Sequence, residues 1–448
     1  FAKNDPYMKR FLTLLRENVI GYAGIRLQMN ITFKSDKGKI IKDKAANKEI
    51  ETAWDEWGKR ENCTVDKRCS WQDVQELFIT TLAKDGEVII RKVSGFKGNP
   101  FRFALQLIPA DHLDENYNTE LPSGNFIRMG IEFNEWNEPV AYHLWTRHPG
   151  DFAYMTSVGS QQRVRIPAEE IIHRFIPEEI AQSRGAPWAA CTMTRNHMLN
   201  GYEQAELVGA RVGASHMGFF TSPEGDGYDG DGDGYDETGD LVTITEAEPG
   251  TFEQLPQGVD FKEFKPNHPT TAYKDFIKGI LRGISTGLSI SYNTLAGDYE
   301  GVNYSSLRQA SLSERDTYRL LQKFVIDNLH NAIFADWLLH AMAVKKVGLP
   351  VEKFDKFNSP MWRPRGWQWV DPTKEVTANG DAMSLKIQSA TEIAADRGQD
   401  IEQIYADLAE EMQLRKQYGL DEPKKGSTQT KESATDDESD NENEQPDN

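Results

Sequence analysis

The sequence predicts an α+β protein in which a strand-rich N-terminal body is followed by long helices. Three observations carry that assignment. Strand-like runs such as EVIIRKV (87–93), FRFALQLI (101–108) and PVAYHLW (139–145) cluster ahead of residue 186, behind helical patterns. Two later stretches, 187–216 and 305–346, repeat apolar or small residues at helical spacing over many turns. The formal net charge of −19 is also unevenly spread: residues 224–263 carry thirteen acids against Lys262 alone, and 427–448 carry eight against Lys431. Those two segments account for the whole −19, so the acidity belongs to two appendages around an electrically balanced body.

Taken in order, Asp5 and Pro6 form a cap and first-turn pair for a helix through Val19, with Phe11, Leu12, Leu14 and Leu15 on its apolar side. ITFK at Ile31 reads as a strand, and residues 48–59 as a short helix containing Trp54 and Trp57. Ser70, with Asp73 and Glu76 in the first turns, opens a helix that ends near Gly86 and passes into EVIIRKV. NFIRMGIEF reads as one strand, joined to PVAYHLW by turn residues 134–138, and RVRIPAEEIIHRFI closes the body. Pro187 starts a small-residue helix, residues 218–269 form an acidic insert, and WRPRGWQWVDP reads as β-like. Two further helices fall at 381–397 and 400–419, and the residues beyond about 420 have no aromatic and too little apolar content to fold.

Residues 270–346 organise the rest. The stretch opens on a helical pattern with Gly279, Gly283 and Gly287 every fourth residue, stacking bare backbone on one face where a neighbouring helix can come close. A helix-interior glycine costs about 1 kcal/mol against alanine, so three on one stripe ask for a packing or hinge reason. Next comes a polar, aromatic loop without a period. From Leu307 to Ala341 apolar residues then recur at helical spacing for roughly ten turns, far beyond an average helix.

Several function classes drop out. With 38% apolar residues and no run of eighteen, the chain has no predicted membrane span. Cys63, Cys69 and Cys191 are too few for a disulfide framework, and no Cys pair has zinc spacing, so they read as free thiols. There is no P-loop and no H-E-x-x-H. A G-x-S-x-G match at 283–287 lies inside a helical pattern, whereas a nucleophile elbow needs a strand before its serine. Ser215 and His216 are adjacent on a helix end and point apart, and His143, His148 and His173 read as satisfied strand histidines. Asp229, Asp231, Asp233, Gly234 and Asp240 fit part of a calcium loop, without the twelfth-position Glu or flanking helices. A calcium-binding adaptor using this insert is the second functional reading; no cofactor or resident metal is expected.

The organising stretch resembles the portal proteins of tailed bacteriophages, in their lambda-type branch. The residues carrying the likeness are Gly287-Leu288-Ser289-Ile290-Ser291-Tyr292, Leu295, and Asn303-Tyr304-Ser305-Ser306 leading to Arg308, Ala310 and Glu314. IPAEEIIHRFIPEEIAQSRGAPW before the small-residue helix and RGQDIEQIYADLAEEMQLRKQYGL near the end add to it. The likeness runs in order from the first helix to about Leu420, and the Gly/Asp-rich insert is where this chain departs.

The resemblance implies a non-enzymatic ring of twelve copies at one capsid vertex of the virion, assembled in the host cytoplasm, through which double-stranded DNA is packaged and ejected. It implies docking of the terminase large subunit and of major capsid and head-completion proteins at the head–tail connector, and no membrane. It further implies a portal fold: a mixed α/β wing (1–186 and part of 305–370), a stem of two helices (187–217 and 270–290), a small β-containing clip (218–269), a tunnel loop (291–304), a long kinked helix (from 305), a helical crown (371–420) and an acidic tail (421–448). The DNA-channel residues would be Tyr292, Asn293, Asp298, Tyr299, Glu300, Asn303 and Tyr304, with Lys278 and Arg282 as phosphate contacts on the stem beside Gly279, Gly283 and Gly287. A lining of Lys and Arg would grip the duplex, so acids and amides suit transit better.

Overall fold

The computed structural model describes residues 3–34, 40–150, 162–214, 273–367, 372–399 and 401–420, with four short strand segments between 218 and 263. The chain divides into two compact units, residues 1–365 and 366–448. Helix and strand mix as expected.

In the first unit, Asp5 accepts from the Met8 amide at 2.8 Å and caps α1 (Pro6–Leu15), which widens into a π turn (Arg16–Ile20). The carbonyls of Asn18 and Val19, at the end of that turn, are met by the buried Gln322 amide at 3.3 Å each. Short strands β1 (Arg26–Met29), β2 (Thr32–Lys34) and β3 (Ile40–Lys42) lead to α2 (Lys44–Trp57), α3 (Arg60–Cys63) and α4 (Trp71–Asp85). Ser70 and Asp73 close a full capping box on α4, and Gly86 ends it at φ +84 with the Ala186 main chain in the space a Cβ would fill.

The two larger sheets are both antiparallel. β4 (Glu87–Ser94) lies between β5 (Phe103–Ile108) and β11 (Ile171–Phe175). A five-stranded meander runs β6 (Thr119–Glu120), β7 (Phe126–Arg128), β8 (Ile131–Phe133), β9 (Pro139–Trp145), β10 (Arg163–Pro167). The single strand expected over NFIRMGIEF is two, because Met129 (φ +51) and Gly130 (φ +81) make a tight two-residue hairpin turn between Arg128 and Ile131. Each sheet contains a buried glutamate. Glu87 meets Arg184 Nε at 2.7 Å and His173 Nε2 at 3.0 Å; burial pushes its carboxyl up, yet these hydrogen bonds and charges outweigh burial and hold it near about 2. Glu132 is held at about 2 by hydrogen bonds from Arg165, Asn125 and His143. His148 lies 3.3 Å from Asp111, so all three strand-region histidines have carboxylate partners.

After α5 (Met193–Ala214) come the strand segments β12 (Gly218–Thr221), β13 (Gly234–Tyr235), β14 (Leu241–Val242) and β15 (Asp260–Glu263), pairing as β12–β15 and β13–β14. Apart from Gly234 and Tyr235 the calcium-loop candidate lies outside the described residues, as do Ser215, His216 and the tail beyond 420. Then follow α6 (Tyr273–Gly287), α7 (Tyr292–Ala296) and α8 (Tyr304–Val325), the last continuing through a π turn (Ile326–His330) into α9 (Asn331–Ala343). The unit closes with α10 (Phe354–Phe357) and β16 (Pro360–Arg363), which pairs antiparallel with β1.

The core is aromatic and is built around α9. Trp54 has Trp57 at 4.8 Å, Trp337 at 4.9 Å edge-on, Trp71 at 5.3 Å, Phe334 at 5.6 Å and Trp362 at 5.7 Å. Offset and edge-on geometries of this kind add about 0.5–1.5 kcal/mol per pair beyond area burial. Trp57 Nε1 donates to the Phe103 carbonyl at 3.0 Å and Trp362 Nε1 to Asn331 Oδ1 at 2.7 Å, so two indoles bury without an orphaned donor. His330, fully buried in the same cluster, is pushed down to about 3 by burial.

The second unit holds α11 (Pro372–Ser384), α12 (Ala390–Asp396) and α13 (Ile401–Gln417). The helix expected over 381–397 is two helices. Lys386 sits at φ +59 and the Ile387 amide returns to the Ala382 carbonyl at 2.9 Å, ending α11, while Ser389 and Glu392 form a new capping box. Among the described residues no helix is long and apolar enough to cross a membrane, and no His, Cys, Asp and Glu grouping could hold a metal ion.

Candidate functional site

The site is built from α6, the loop with α7, and the first turns of α8. α6 buries Leu281, Ile284 and Ser285 and sends a cationic row, Lys274, Lys278 and Arg282, along another face at four-residue spacing. Ser285 donates to the Arg282 carbonyl at 2.9 Å from mid-helix, with no strand before it, so the G-x-S-x-G match lacks the elbow geometry.

The glycine stripe splits in two. Gly287 lies against the start of α5, where an added Cβ would sit 2.6 Å from the Thr192 methyl and 3.2 Å from Cys191 Sγ. At Gly283 the guanidinium of Arg195 occupies the space of a Cβ, while Gly279 has nothing within 4 Å. Close approach to a helix of the same chain therefore explains two glycines and leaves the third open. α6 ends when Ser289 turns left-handed at φ +56, with the Ile290 amide bonded to the Ser285 carbonyl and the Ser289 amide to Thr286, both at 3.1 Å.

The loop is more ordered than its missing period implies. Ser291 caps α7 by accepting from the Thr294 amide, Leu295 is buried, and Gly297 ends the turn at φ +67. A single helical turn is too short to leave a periodic signal; its cap and one anchor hold it. Glu314 on α8 accepts from the Ser291 amide at 2.7 Å and from Thr294 Oγ1 at 3.2 Å, clamping the loop from the other side.

The charges of the loop are answered from α6. Lys278 Nζ is 3.6 Å from Asp298 Oδ2, and Lys274 Nζ is 2.6 Å from Glu300 Oε2. Tyr292 donates to Asp298 at 2.7 Å and carries Lys278 and Arg282 at 5.6 and 5.7 Å from its ring centre. Desolvation, then the Asp298 hydrogen bond and charge, push the Tyr292 phenol up to about 12, while the Tyr292 hydrogen bond leads in lowering the Asp298 carboxyl. Asn293 donates to the Asp298 carbonyl at 2.6 Å.

Of the sequence-predicted residues, the structure thus gathers Lys278, Arg282, Tyr292, Asn293, Asp298 and Glu300 into one cluster. Asn303 serves as the α8 cap, accepting from the Ser306 amide at 2.8 Å, and Tyr299 and Tyr304 stand half exposed outside the cluster. Lys274 and the clamping role of Glu314 were missed. The four-residue row with Lys278 and Arg282 is the signal that would have found Lys274; nothing local marks Glu314 as a clamp, since it acts twenty residues away from Thr294.

Comparison with known proteins supplies the family. A family model described as "Phage portal protein, lambda family" matches residues 1–322. The probable portal protein of Halomonas phage phiHAP-1 is 36% identical over 426 residues, covering 94% of this chain and 80% of that relative. Portal protein B of Escherichia phage lambda is 22% identical over 456 residues, covering 94% and 84%. Among solved structures, a chain of the virion of the native gene transfer agent particle aligns with a TM-score of 0.47 at 14% identity, over 89% of this chain and 91% of that one. With a family match over most of its length and a relative more than a third identical, this chain belongs to the lambda family of phage portal proteins.

Proposed function

We propose that the chain closes into a ring of twelve copies at one capsid vertex and serves as a passive conduit for double-stranded DNA, with ATP hydrolysis left to the terminase large subunit that docks on it. In this reading residues 1–186 and the C-terminal part of 305–370 form the wing, 187–217 and 270–290 the stem, and 218–269 the clip facing the motor. Residues 291–304 are the tunnel loop, 371–420 the crown and 421–448 an acidic tail. Head-completion and major capsid proteins are the other partners.

The observation that supports this reading best is the charge pairing between the loop and α6. Duplex DNA carries one negative charge per about 1.7 Å, so a cationic lining grips it and an uncompensated acidic one repels it. A loop whose Asp298 and Glu300 are paired with Lys278 and Lys274 does neither. Tyr299 and Tyr304, exposed beside it, are the neutral surface offered to the duplex, and Lys278 and Arg282 are weak phosphate contacts because Asp298 and the Tyr292 ring compete for them. Deleting residues 295–301 tests the assignment. Rings of normal appearance in negative-stain micrographs, combined with a loss of packaged or retained DNA, are expected; normal packaging by the deletion variant refutes the loop's role.

A further inference from the structure

We propose that Trp136, at the tip of the β8–β9 hairpin, is a knob that seats in a cleft at the far end of the same sheet on a second copy of this chain. The inference rests on the ring reading above and adds the residues through which neighbours touch.

The knob is exposed and held. Trp136 is 80% exposed, yet its turn is fixed by Asn134, whose Oδ1 accepts from the Trp136 amide at 2.9 Å and the Glu138 amide at 3.0 Å. Asn134 Nδ2 donates to Glu138 Oε2 at 2.9 Å, and its amide donates to the Glu138 carbonyl at 3.1 Å. A large aromatic group on a fixed turn loses little freedom on docking, which is what makes such a side chain an effective anchor. Glu135 and Glu138 flank it, and the turn carries no cation.

The hole is a cleft of about 290 Å³ walled by Leu107, Pro109, Trp145 and Val164, with Arg91 and His112 among its polar groups and no carboxylate in its lining. It has the volume for one aromatic side chain. Arg91 donates to Glu170 at 2.8 Å, so its charge is already paired; what the lining offers the acidic flanks of the knob is a wall without a carboxylate to repel them.

Placement decides the occupant. β9 runs from Pro139, beside the knob, to Trp145, in the wall of the hole, so the two lie about 20 Å apart at opposite ends of one strand. That separation keeps Trp136 out of the cleft of its own chain. A cyclic ring of more than two subunits needs two different, complementary patches on every subunit, and a knob and a hole at opposite ends of one sheet meet that requirement.

The test places p-benzoylphenylalanine at position 136 of the full chain. Assembled rings, irradiated and then denatured, should run as a ladder of covalent multimers whose cross-links map to peptides containing residues 107–112, 144–146 or 164–166. Rings that yield only monomer, or cross-links elsewhere, overturn the contact and leave the ring reading standing. A wild-type chain that forms no rings overturns the ring reading and the contact together. In a second arm, Trp136→Ala and Val164→Arg should each raise the concentration needed for assembly about 30-fold, the size expected for losing an aromatic anchor. Mixed together they should give heterodimers, since one knob and one hole survive; unchanged assembly of both variants overturns the proposal. Because Trp136 is exposed, its removal leaves the fold intact.

Discussion

The two halves of the long helix are covalently continuous and physically opposite. From Tyr304 to Thr317 no residue is buried, whereas from Tyr318 onward Leu321, Gln322, Val325, Leu329, Ile333, Trp337 and Ala341 fall on one buried stripe. The second half is fastened into the tryptophan core. The first is an arm whose attachment is local: Asn303 caps it and Glu314 holds the loop. One element thus combines an anchor fixed in the core with an exposed arm that holds the neighbouring loop through Glu314.

Substitutions that contrast the halves should differ most. Trp337→Ala, at a fully buried position among Trp54, Phe334 and Phe101, is expected to cost about 3–5 kcal/mol, read as a lowered urea midpoint or loss of soluble protein. Leu312→Ala in the arm, 41% exposed, should stay within about 0.5 kcal/mol. Equal losses would dissolve the distinction.

The anchor should also be sensitive to acid. His330 is held neutral down to about 3 when folded, while the unfolded chain takes up that proton from its ordinary 6.5. Its contribution is therefore complete above pH 6.5 and is lost as pH falls toward 3, at up to about 1.4 kcal/mol per pH unit. Between pH 6.5 and 4.5 the loss precedes that from Glu87 and Glu132, whose lowered carboxyls contribute stability above 4.5 and give it up toward about 2. Urea midpoints measured across this range should flatten in His330→Leu, and a wild-type profile already flat from 6.5 to 4.5 would contradict the assignment.

Within α6 the comparison concerns the glycines. Gly287→Ala meets the buried Thr192 methyl and should destabilise by about 1–3 kcal/mol, whereas Gly279→Ala, with open space around it, should stabilise by about 0.5–1 kcal/mol. Thermal melting of the two variants in opposite directions is the expected signature. The smallest effect belongs to the loop clasp. Lys278→Gln removes a partly exposed, solvent-screened ion pair, so global stability should hardly change. Amide exchange at residues 297–300 should quicken, and by less in high salt, where wild type already lacks much of the pairing.

What was legible in the sequence was what local chemistry decides. The Ser70–Asp73 box, Gly86 at the end of α4, the Asp5 cap and the buried stripe of the long helix each reflect neighbours within a few residues. What escaped depended on partners far along the chain or on unusual occupants of familiar turns. Met129 takes a positive-φ position usually given to Asn, so two strands read as one. Lys386 does the same at the end of α11. α7 exists because Ser291 and Leu295 find support from Glu314 and the core, and Gly279 lost its expected neighbour because the contacts to α6 fall on either side of it, Tyr202 on Phe276 before it and Thr192 on Gly287 after it. In the site, residue types were readable and their pairing was not, since Lys274 and Glu300 stand twenty-six positions apart.

The π turn at Ile326–His330 gives the long helix a property of phase. An α-helix advances about 100° per residue, so buried positions four apart drift around its axis by about 40° at each step. A π turn takes in one residue more per turn at a smaller angle, and so returns part of that drift. Val325, Leu329 and Ile333 thereby stay on the face that Trp337 and Ala341 continue. The surplus residue keeps the second half of the long helix aimed at the tryptophan core over more turns than a regular helix would manage.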